Sequence, residues 1–330
     1  MTWKMNKAIP NVEPYNQFAL RDCYFSMIFP AVNAFSGSAD ALAIVTNNDI
    51  VFSYDKERFR QEDTRNSRNN LDNLLAEQNI KLEKDNTYHT DIVDFVCGEI
   101  DKGHLVVASL VDSLAYDPNT GDETAGHAGF GHWVLIYGYD DEKRVLNVID
   151  HFRVESPIYC KLLMNFDELK RSYDKHNEDN GSRLQILSRL KSDECKSDLK
   201  NKYCQEWINL RKAREQNPVT EYLNFIRGFF DKGYLQVKRQ WFFVAEDIVR
   251  LNSYYLQQKY ILNHLSSDKE MIKRIDRQTQ SILKFKQKLF EIRQVKTEED
   301  FVDYKTKFDF VDDFVRNGFE LEEYIDNLTI

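Results

Sequence analysis

Apolar runs fill the first half of the chain, whereas apolar residues in the second half recur at helical intervals. The run HLVVASLVD, residues 104–112, is apolar almost throughout and predicts a strand buried on both faces. The segments HWVLIYGYD and RVLNVID flank a charged turn and predict an antiparallel hairpin. From about Tyr159 onward, helical spacing covers residues 166–176, 182–214, 218–232, 240–292 and 297–326. We therefore expect an α+β protein with a central antiparallel sheet and a mostly helical C-terminal half.

Further elements are predicted before the buried strand. FALRDCYFSMIF, from Phe18 to Phe29, favours a buried helix that Pro30 should end or kink, because proline removes a backbone donor. ALAIVTNN and IVFSYD are typical of short strands, whereas residues 68–86 and HTDIVDFVCGEIDKG are typical of helices. The change of pattern predicts two domains, a sheet-containing domain at 1–160 and a helical domain at 161–330 packed on it.

The composition is that of an ordinary soluble protein, with 42% hydrophobic and 30% charged residues among 330. No apolar run reaches the roughly 18 residues that a membrane-spanning helix needs. The start, MTWKMNKAIPNVEPYNQF, lacks the apolar segment of a secretory signal. We therefore expect a cytoplasmic protein with no membrane contact. The net charge of −9 disfavours nucleic-acid binding, which depends on a basic surface.

The chain has five cysteines, namely Cys23, Cys97, Cys160, Cys195 and Cys204. Their number is odd and no CxxC pair is present, which disfavours both a disulfide framework and a zinc site. At least one cysteine is therefore a candidate for a reactive thiol.

A histidine and an aspartate stand at matching ends of the predicted hairpin. His132 opens the first strand and Asp150 closes the second. In an antiparallel pair these positions lie side by side, so the two side chains are expected to meet. A carboxylate bonded to one imidazole nitrogen fixes the tautomer and leaves the other nitrogen to act on a nucleophile. The alternatives are a histidine satisfied by backbone groups and an aspartate that caps the next turn, with Asn147 nearby on the same strand.

Cys23 is the candidate nucleophile. A helix beginning near Arg21 or Asp22 would place its thiol at the positive end of the helix dipole, and a nearby imidazolium would further stabilise the thiolate. Gln17, six residues earlier, could donate to the oxyanion of a tetrahedral intermediate together with the backbone N–H of Cys23, and Asn16 could serve instead. The ordinary alternatives are a small buried hydrophobe for Cys23 and a solvated loop residue for Gln17.

The order Gln17, Cys23, His132, Asp150 is similar to that of the papain-like cysteine peptidase superfamily. The segments GHLVVASLVDSLAYDP and GHWVLIYGYDDEKRVLNVID resemble the amino-terminal domain of the butirosin-biosynthesis H-type acyltransferases, which are related to bacteriocin-processing cysteine peptidases. This resemblance covers about the first half of the chain, and the helical second half is in keeping with it.

The resemblance implies a papain-like fold with the nucleophile on a helix, a triad of Cys23, His132 and Asp150, and an oxyanion donor at Gln17. It also implies amide formation rather than proteolysis. The cysteine would take an acyl group from the phosphopantetheine thioester of an acyl or peptidyl carrier protein and pass it to a small amine in antibiotic biosynthesis. The enzyme itself would need no cofactor, since the phosphopantetheine belongs to the carrier. A similar homologue from closthioamide assembly makes a diamine one candidate acceptor.

Two other functions stay open at this point. A peptidase or amidase would use the same nucleophile with water as the acceptor, and a catalytically silent binding protein would leave Cys23 unreactive. Tyr24 and Phe25 depart from the family pattern, in which small residues follow the nucleophile, and these two bulky side chains could narrow the acyl pocket or alter the helix start.

The basic residues of the helical half suggest a docking surface for an acidic carrier protein, with a solvated helix face as the alternative. They are Lys238, Arg239, Lys284, Lys286 and Lys288. The aromatic stretch RQWFFVAEDI is expected to lie in the core.

A metal site is not expected. His104, His127 and His151 could in principle join His132, but the spacing of His127 and His132 on a glycine-rich segment lacks the helix face that zinc peptidases use.

Overall fold

The computed structural model describes residues 6–16, 23–37, 39–40, 42–43, 50–55, 57–63, 67–124, 131–151, 158–181, 183–190, 199–213, 217–265 and 269–327. The strands are β1 (Asn6–Ala8), β2 (Ile50–Asp55), β3 (Arg58–Asp63), β4 (Ile80–Asp85), β5 (Leu105–Val111), β6 (Gly131–Asp140), β7 (Val145–His151), β8 (Tyr159–Asn165) and β9 (Leu184–Arg189). The α-helices are α1 (Cys23–Ser36), α2 (Ser67–Ala76), α3 (Ile92–Asp101), α4 (Phe166–Asn180), α5 (Leu199–Lys212), α6 (Pro218–Gly228), α7 (Tyr234–Leu265), α8 (Lys269–Glu291), α9 (Glu298–Thr306) and α10 (Val311–Asp326).

The chain divides into two units whose boundaries differ from those of the predicted domains. The first unit comprises Met1–Ala43 and Ser67–Asp198, and the second comprises Ile44–Asn66 and Leu199–Ile330. The predicted boundary at residue 160 falls inside β8. The first unit extends past it because β9 pairs with β4 and β5 and so completes the sheet. The β2–β3 hairpin belongs to the second unit.

The first unit is built on a seven-stranded sheet, and the predicted central antiparallel sheet is thereby confirmed. The strand order is β4-β9-β5-β6-β7-β8, with β1 also paired to β6, and every pairing is antiparallel. All seven residues of β5 are buried, as its continuous apolar run predicts. Its neighbours β6 and β9 cover its two edges, so β5 lies in the middle of the core.

The predicted hairpin is also confirmed. β6 and β7 are joined by a turn at residues 141–144, and Leu135 lies opposite Ile149. The register shifts between Ile136 and Gly138, which marks an irregularity in the ladder. Beyond that point β1 runs beside β6, and its approach requires a glycine: a Cβ on Gly138 would lie 2.7 Å from the carbonyl oxygen of Lys7.

Helix α1 carries the candidate nucleophile and extends further than predicted. It runs from Cys23 to Ser36 with Pro30 inside it, so of the two predicted effects of Pro30, an end or a kink, the end is wrong. Proline removes one backbone donor, and the buried side chains that continue on both sides of Pro30 outweigh that loss. α1 packs against β6, where the ring of Tyr24 meets Trp133 with 5.2 Å between centroids.

Other predicted elements differ from the structure where pairing overrides the local pattern. Residues 68–86 form α2 followed by β4 rather than one helix, and residues 184–189, predicted as helical, form β9. IVFSYD is β2 as predicted, but its partner is β3. Of the predicted strand ALAIVTNN, Leu42 and Ala43 are helical and residues 44–49 lie outside the described part of the chain.

The second unit is mostly helical, as predicted, apart from the β2–β3 hairpin. Trp241 meets Phe290, and Lys259 pairs with Asp276, so α7 and α8 run antiparallel along each other. Short 3-10 helices at Phe229–Lys232 and Ile292–Gln294 connect the longer helices. Among the described helices, none combines the length and the apolar character that crossing a bilayer would require.

Candidate active site

The structure brings His132 and Asp150 into direct contact. His132 is the second residue of β6, Asp150 is the last but one of β7, and the hairpin sets them side by side. His132 Nε2 lies 2.6 Å from Asp150 Oδ1. The two residues are 5% and 1% exposed, so the ion pair is shielded from solvent. The predicted meeting of the two side chains is thus found in the fold.

Cys23 is the third member of this cluster. It is the first residue of α1, it is half-buried, and its side chain is hydrogen-bonded to His132. Because Nε2 of His132 is bonded to Asp150, we infer that Nδ1 is the ring nitrogen that faces the thiol. Cys23 and Asp150 therefore contact the same imidazole ring.

The charges around His132 favour its protonated form. Burial alone would lower the pKa of His132, but the charge of Asp150 and its hydrogen bond act in the opposite direction. The contacts with Cys23 act in the same direction as those with Asp150, and the pKa of His132 is raised to about 10. At neutral pH the imidazole is therefore an imidazolium held between a carboxylate and a sulfur.

His151 and Tyr159 complete the surroundings of Asp150, and the sequence pattern did not single out either for this role. The backbone N–H of His151 donates to Asp150 Oδ1 at 2.6 Å, the same oxygen that contacts His132. The ring of His151 stacks on Tyr159 with centroids 3.7 Å apart and faces His132 at 5.5 Å. The dipeptide Asp150-His151 thus fixes both the edge and one face of the His132 ring. Only the register of β7 with β8, in which His151 lies opposite Tyr159, discloses this arrangement.

Asn16 is anchored to the same end of the sheet. Its side-chain amide donates to the carbonyl oxygen of Tyr159 at 2.9 Å, and its Oδ1 accepts from the N–H of Tyr159 at 2.8 Å. These two bonds fix the orientation of the Asn16 amide, and its role as an alternative oxyanion donor stays a prediction. The predicted donor, Gln17, lies outside the described residues, but its neighbour Asn16 ties the chain to β8 beside Asp150.

Asn147, the alternative to Asp150 on the same strand, is far from His132. It lies opposite Gly138, at the other end of the hairpin. Among the described residues of β7, Asp150 is therefore the one that orients His132.

The other described cysteines are poorer candidates for a nucleophile. None of the four described cysteines belongs to a disulfide. Cys97 and Cys204 are buried, and burial together with nearby carboxylates raises the pKa of Cys97 to about 12. The sulfur of Cys160 lies 3.7 Å from the carbonyl oxygen of Asp150. Cys195 lies outside the described residues.

The same cluster contains a set of groups that could hold a metal ion. Ligand atoms of His132, Asp150 and His151 all lie within 4.8 Å of one another. Of the other histidines considered, His104 lies 2.8 Å from Glu99, and His127 lies outside the described residues. The expectation that the protein uses no metal stays a prediction.

Part of the predicted basic docking surface is occupied by internal contacts. Lys288 pairs with Glu291 at 2.8 Å, Lys238 donates to a backbone carbonyl, and Lys284 lies over the ring of Phe310. Arg239 and Lys286, the other two predicted residues, form no ion pair with a described residue.

The prediction that RQWFFVAEDI lies wholly in the core is wrong. Phe242 and Phe243 are 49% and 47% exposed, because this turn of α7 points two adjacent aromatic side chains away from the neighbouring helices.

Comparison of the sequence with protein-family models gives no match, and no curated protein matches it. The resemblance to the butirosin acyltransferases therefore stays a prediction, and the site has to be interpreted from its own geometry.

Proposed function

We propose that the protein is a papain-like cysteine acyltransferase that forms amides without acting as a protease. Cys23 would accept an acyl group from the phosphopantetheine thioester of a carrier protein and pass it to a small amine. The antiparallel sheet, with the nucleophile at the start of a helix packed on it, is consistent with such a fold.

The observation that carries the proposal is the placement of one buried imidazole between a carboxylate and a thiol. The 2.6 Å contact with Asp150 orients the His132 ring, and the side chain of Cys23 is hydrogen-bonded to the same ring. A structural cysteine or a structural histidine would not need this three-residue alignment. The arrangement supports nucleophilic catalysis by Cys23.

In the first half of the reaction the Cys23 thiolate attacks the carbonyl carbon of the carrier thioester. The negative charge moves to the carbonyl oxygen, where the backbone N–H of Cys23 and the side chain of Gln17 would stabilise it. Collapse of this intermediate breaks the bond to the phosphopantetheine sulfur, which leaves as a thiol after taking the proton of His132. The acyl group is then held by Cys23 as a thioester.

In the second half an amine attacks the acyl-Cys23 carbonyl. Neutral His132 accepts a proton from the amine nitrogen, and the carbon–sulfur bond breaks to release an amide and the Cys23 thiolate. Asp150 holds the ring in place and stabilises the imidazolium in both halves of the reaction. No other group is consumed, so the enzyme returns to its starting state.

Intact-protein mass spectrometry with a short acyl-pantetheine thioester tests the proposal. We expect the wild-type protein to gain the mass of one acyl group, and a diamine added afterwards to remove that mass and appear as its amide. The Cys23→Ala variant should stay folded and gain no mass. The Cys160→Ala variant is the matched control, because this half-buried cysteine lies near the same site, and it should be acylated like the wild type.

Three results would contradict the proposal. Turnover by Cys23→Ala would exclude this nucleophile. Hydrolysis of casein, with no amide formed from thioester and amine, would indicate a peptidase. A wild-type protein that neither forms the adduct nor reacts with iodoacetamide at Cys23 would indicate a binding protein.

A further inference from the structure

An exposed aromatic surface lies where the first half of α7 meets the last turns of α8 in the second unit. Trp241 contacts Phe290 and Phe242, with ring centroids 5.5 and 5.8 Å apart. Phe290 is 37% exposed, and Leu283, two turns earlier on α8, is 55% exposed. Groups of exposed apolar side chains mark interaction sites on soluble proteins. We call Trp241, Phe242, Leu283 and Phe290 the aromatic surface.

A guanidinium group lies over this surface. Arg293 lies 5.1 Å from the ring centre of Trp241 and 5.2 Å from that of Phe290. Both aromatic rings thus lie close to a planar guanidinium, a group that can bind a carboxylate through two hydrogen bonds. Stacking on the rings also reduces the side-chain entropy that Arg293 would lose on binding a partner.

The cations next to the aromatic surface form no ion pair with the acidic residues that the structure describes. Lys286 lies between Leu283 and Phe290 along α8, and Arg239 lies one turn before Phe242 on α7. Arg239, Lys286 and Arg293 form no ion pair with any residue in the described part of the chain. The chain has a net charge of −9, so most cations could be expected to find an acidic partner. Three cations beside exposed aromatic side chains that form no ion pair with a described residue are therefore unusual.

We propose that the aromatic surface binds an acidic protein partner through a helix that presents apolar side chains flanked by Asp and Glu. The apolar side chains of that helix would cover the aromatic surface, and its carboxylates would pair with Arg239, Lys286 and Arg293. The proposal does not depend on the chemistry at Cys23, and it can be tested in a Cys23→Ala background.

Two other occupants fit the observations less well. A second copy of this chain in a two-fold dimer would bring each surface against itself and set its unpaired cations against like charges. An anionic lipid surface would be bound by clusters of mobile basic side chains, whereas Arg293 is held in one orientation by two rings.

Fluorescence anisotropy with labelled amphipathic helical peptides of about 18 residues, long enough for five turns, provides the test. One peptide carries Leu on one face and Glu on the other, and a second carries Lys in place of Glu. We expect the full-length protein to prefer the Glu peptide by at least about tenfold, with binding that weakens as salt is added. The double variant Arg239→Glu/Arg293→Glu should reverse this preference.

Arg316→Glu is the matched control, since Arg316 is an exposed arginine of α10 that pairs with Asp313, and it should bind like the wild type. Thermal unfolding of each variant checks its folding. Equal binding of the two peptides, no binding of the Glu peptide, or an unchanged preference in the double variant would overturn the proposal. Two further results would also overturn it: a dimer that Phe242→Ser converts to monomer, and binding to anionic vesicles that the double variant abolishes.

Discussion

Asp150 Oδ1 accepts hydrogen bonds from two neighbours at the same distance, 2.6 Å from Nε2 of His132 and 2.6 Å from the backbone nitrogen of His151. The carboxylate is thus fixed by its own chain and in turn fixes the imidazole. Its negative charge also offsets the burial that would otherwise favour neutral His132. The charge of this buried carboxylate therefore favours the protonated form of His132.

Replacing Asp150 by asparagine should lower the pKa of His132 from about 10 toward its ordinary value, because the hydrogen bond stays possible but the negative charge is lost. NMR titration of the His132 ring measures this change directly. Alkylation of Cys23 by iodoacetamide near neutral pH should slow by at least about tenfold, since fewer molecules hold an imidazolium beside the sulfur. Asp85→Asn is the matched control, because Asp85 makes a similar 2.7 Å contact with His89. An unchanged His132 titration in Asp150→Asn would contradict this account.

The stability of the protein should fall with rising pH across the range set by His132. The pKa of this residue is about 10 in the folded protein and close to 6.5 in the unfolded chain, so the folded state holds a proton that the unfolded state releases. The contribution of His132 is complete below pH 6.5 and is lost as the pH approaches 10. We expect the free energy of unfolding, measured with urea, to fall with rising pH more steeply in the wild type than in His132→Gln. The difference in slope should reach up to about 1.4 kcal/mol per pH unit. Parallel pH profiles for the two proteins would refute this prediction.

The hairpin and the contact of His132 with Asp150 could be predicted because they depend on short-range information. Two apolar segments joined by a four-residue charged turn favour an antiparallel hairpin, and that hairpin places His132 and Asp150 together. The helical character of the second half could be predicted for the same reason, since residues three and four apart decide it.

The missed features depend on contacts between distant parts of the chain. Residues 184–189 are followed by polar, helix-favouring sequence, and they form a strand because β4 and β5 supply hydrogen-bonding partners on both sides. Pro30 is accommodated because the helix around it is buried. The stacking of His151 on Tyr159 depends on the register of β7 with β8, and no periodicity within either segment encodes that register.

The exposure of Phe242 has a similar cause. An apolar residue in a helix is assigned to the core by default, and only the packing of α7 with α8 reveals which turn stays uncovered. The helical spacing of the sequence was therefore sufficient to predict the helix but not its buried face.

Gln17→Ala should slow acylation of Cys23 by about 100-fold while leaving its alkylation by iodoacetamide unchanged. The physical reason is that thioester attack creates an oxyanion and alkylation does not. Asn16→Ala should also slow acylation, because it removes both hydrogen bonds to Tyr159 that hold this segment at the sheet. The measurement compares the rate at which Cys23 is acylated by an acyl-pantetheine thioester with the rate at which it is alkylated by iodoacetamide.

Asn33→Ala, at an exposed position of α1, is the control and should leave both rates unchanged. Equal slowing of acylation and alkylation in Gln17→Ala would indicate that the residue supports the fold rather than the oxyanion.

Gly138→Ala should destabilise the first unit by about 1–3 kcal/mol, because the new methyl group would lie 2.7 Å from the carbonyl oxygen of Lys7 and 2.8 Å from Cα of Ala8. Strand β1 would have to move away from β6. Hydrogen exchange at the N–H of Ile9, which donates to the carbonyl oxygen of Tyr137 at 2.8 Å, should therefore accelerate together with the loss in urea stability. Gly98→Ala is the matched control: it lies in α3 with no atom within 4 Å of the new methyl group, so it should be neutral or stabilising by up to about 1 kcal/mol. Equal stability of the two variants would contradict the close approach of β1 to Gly138.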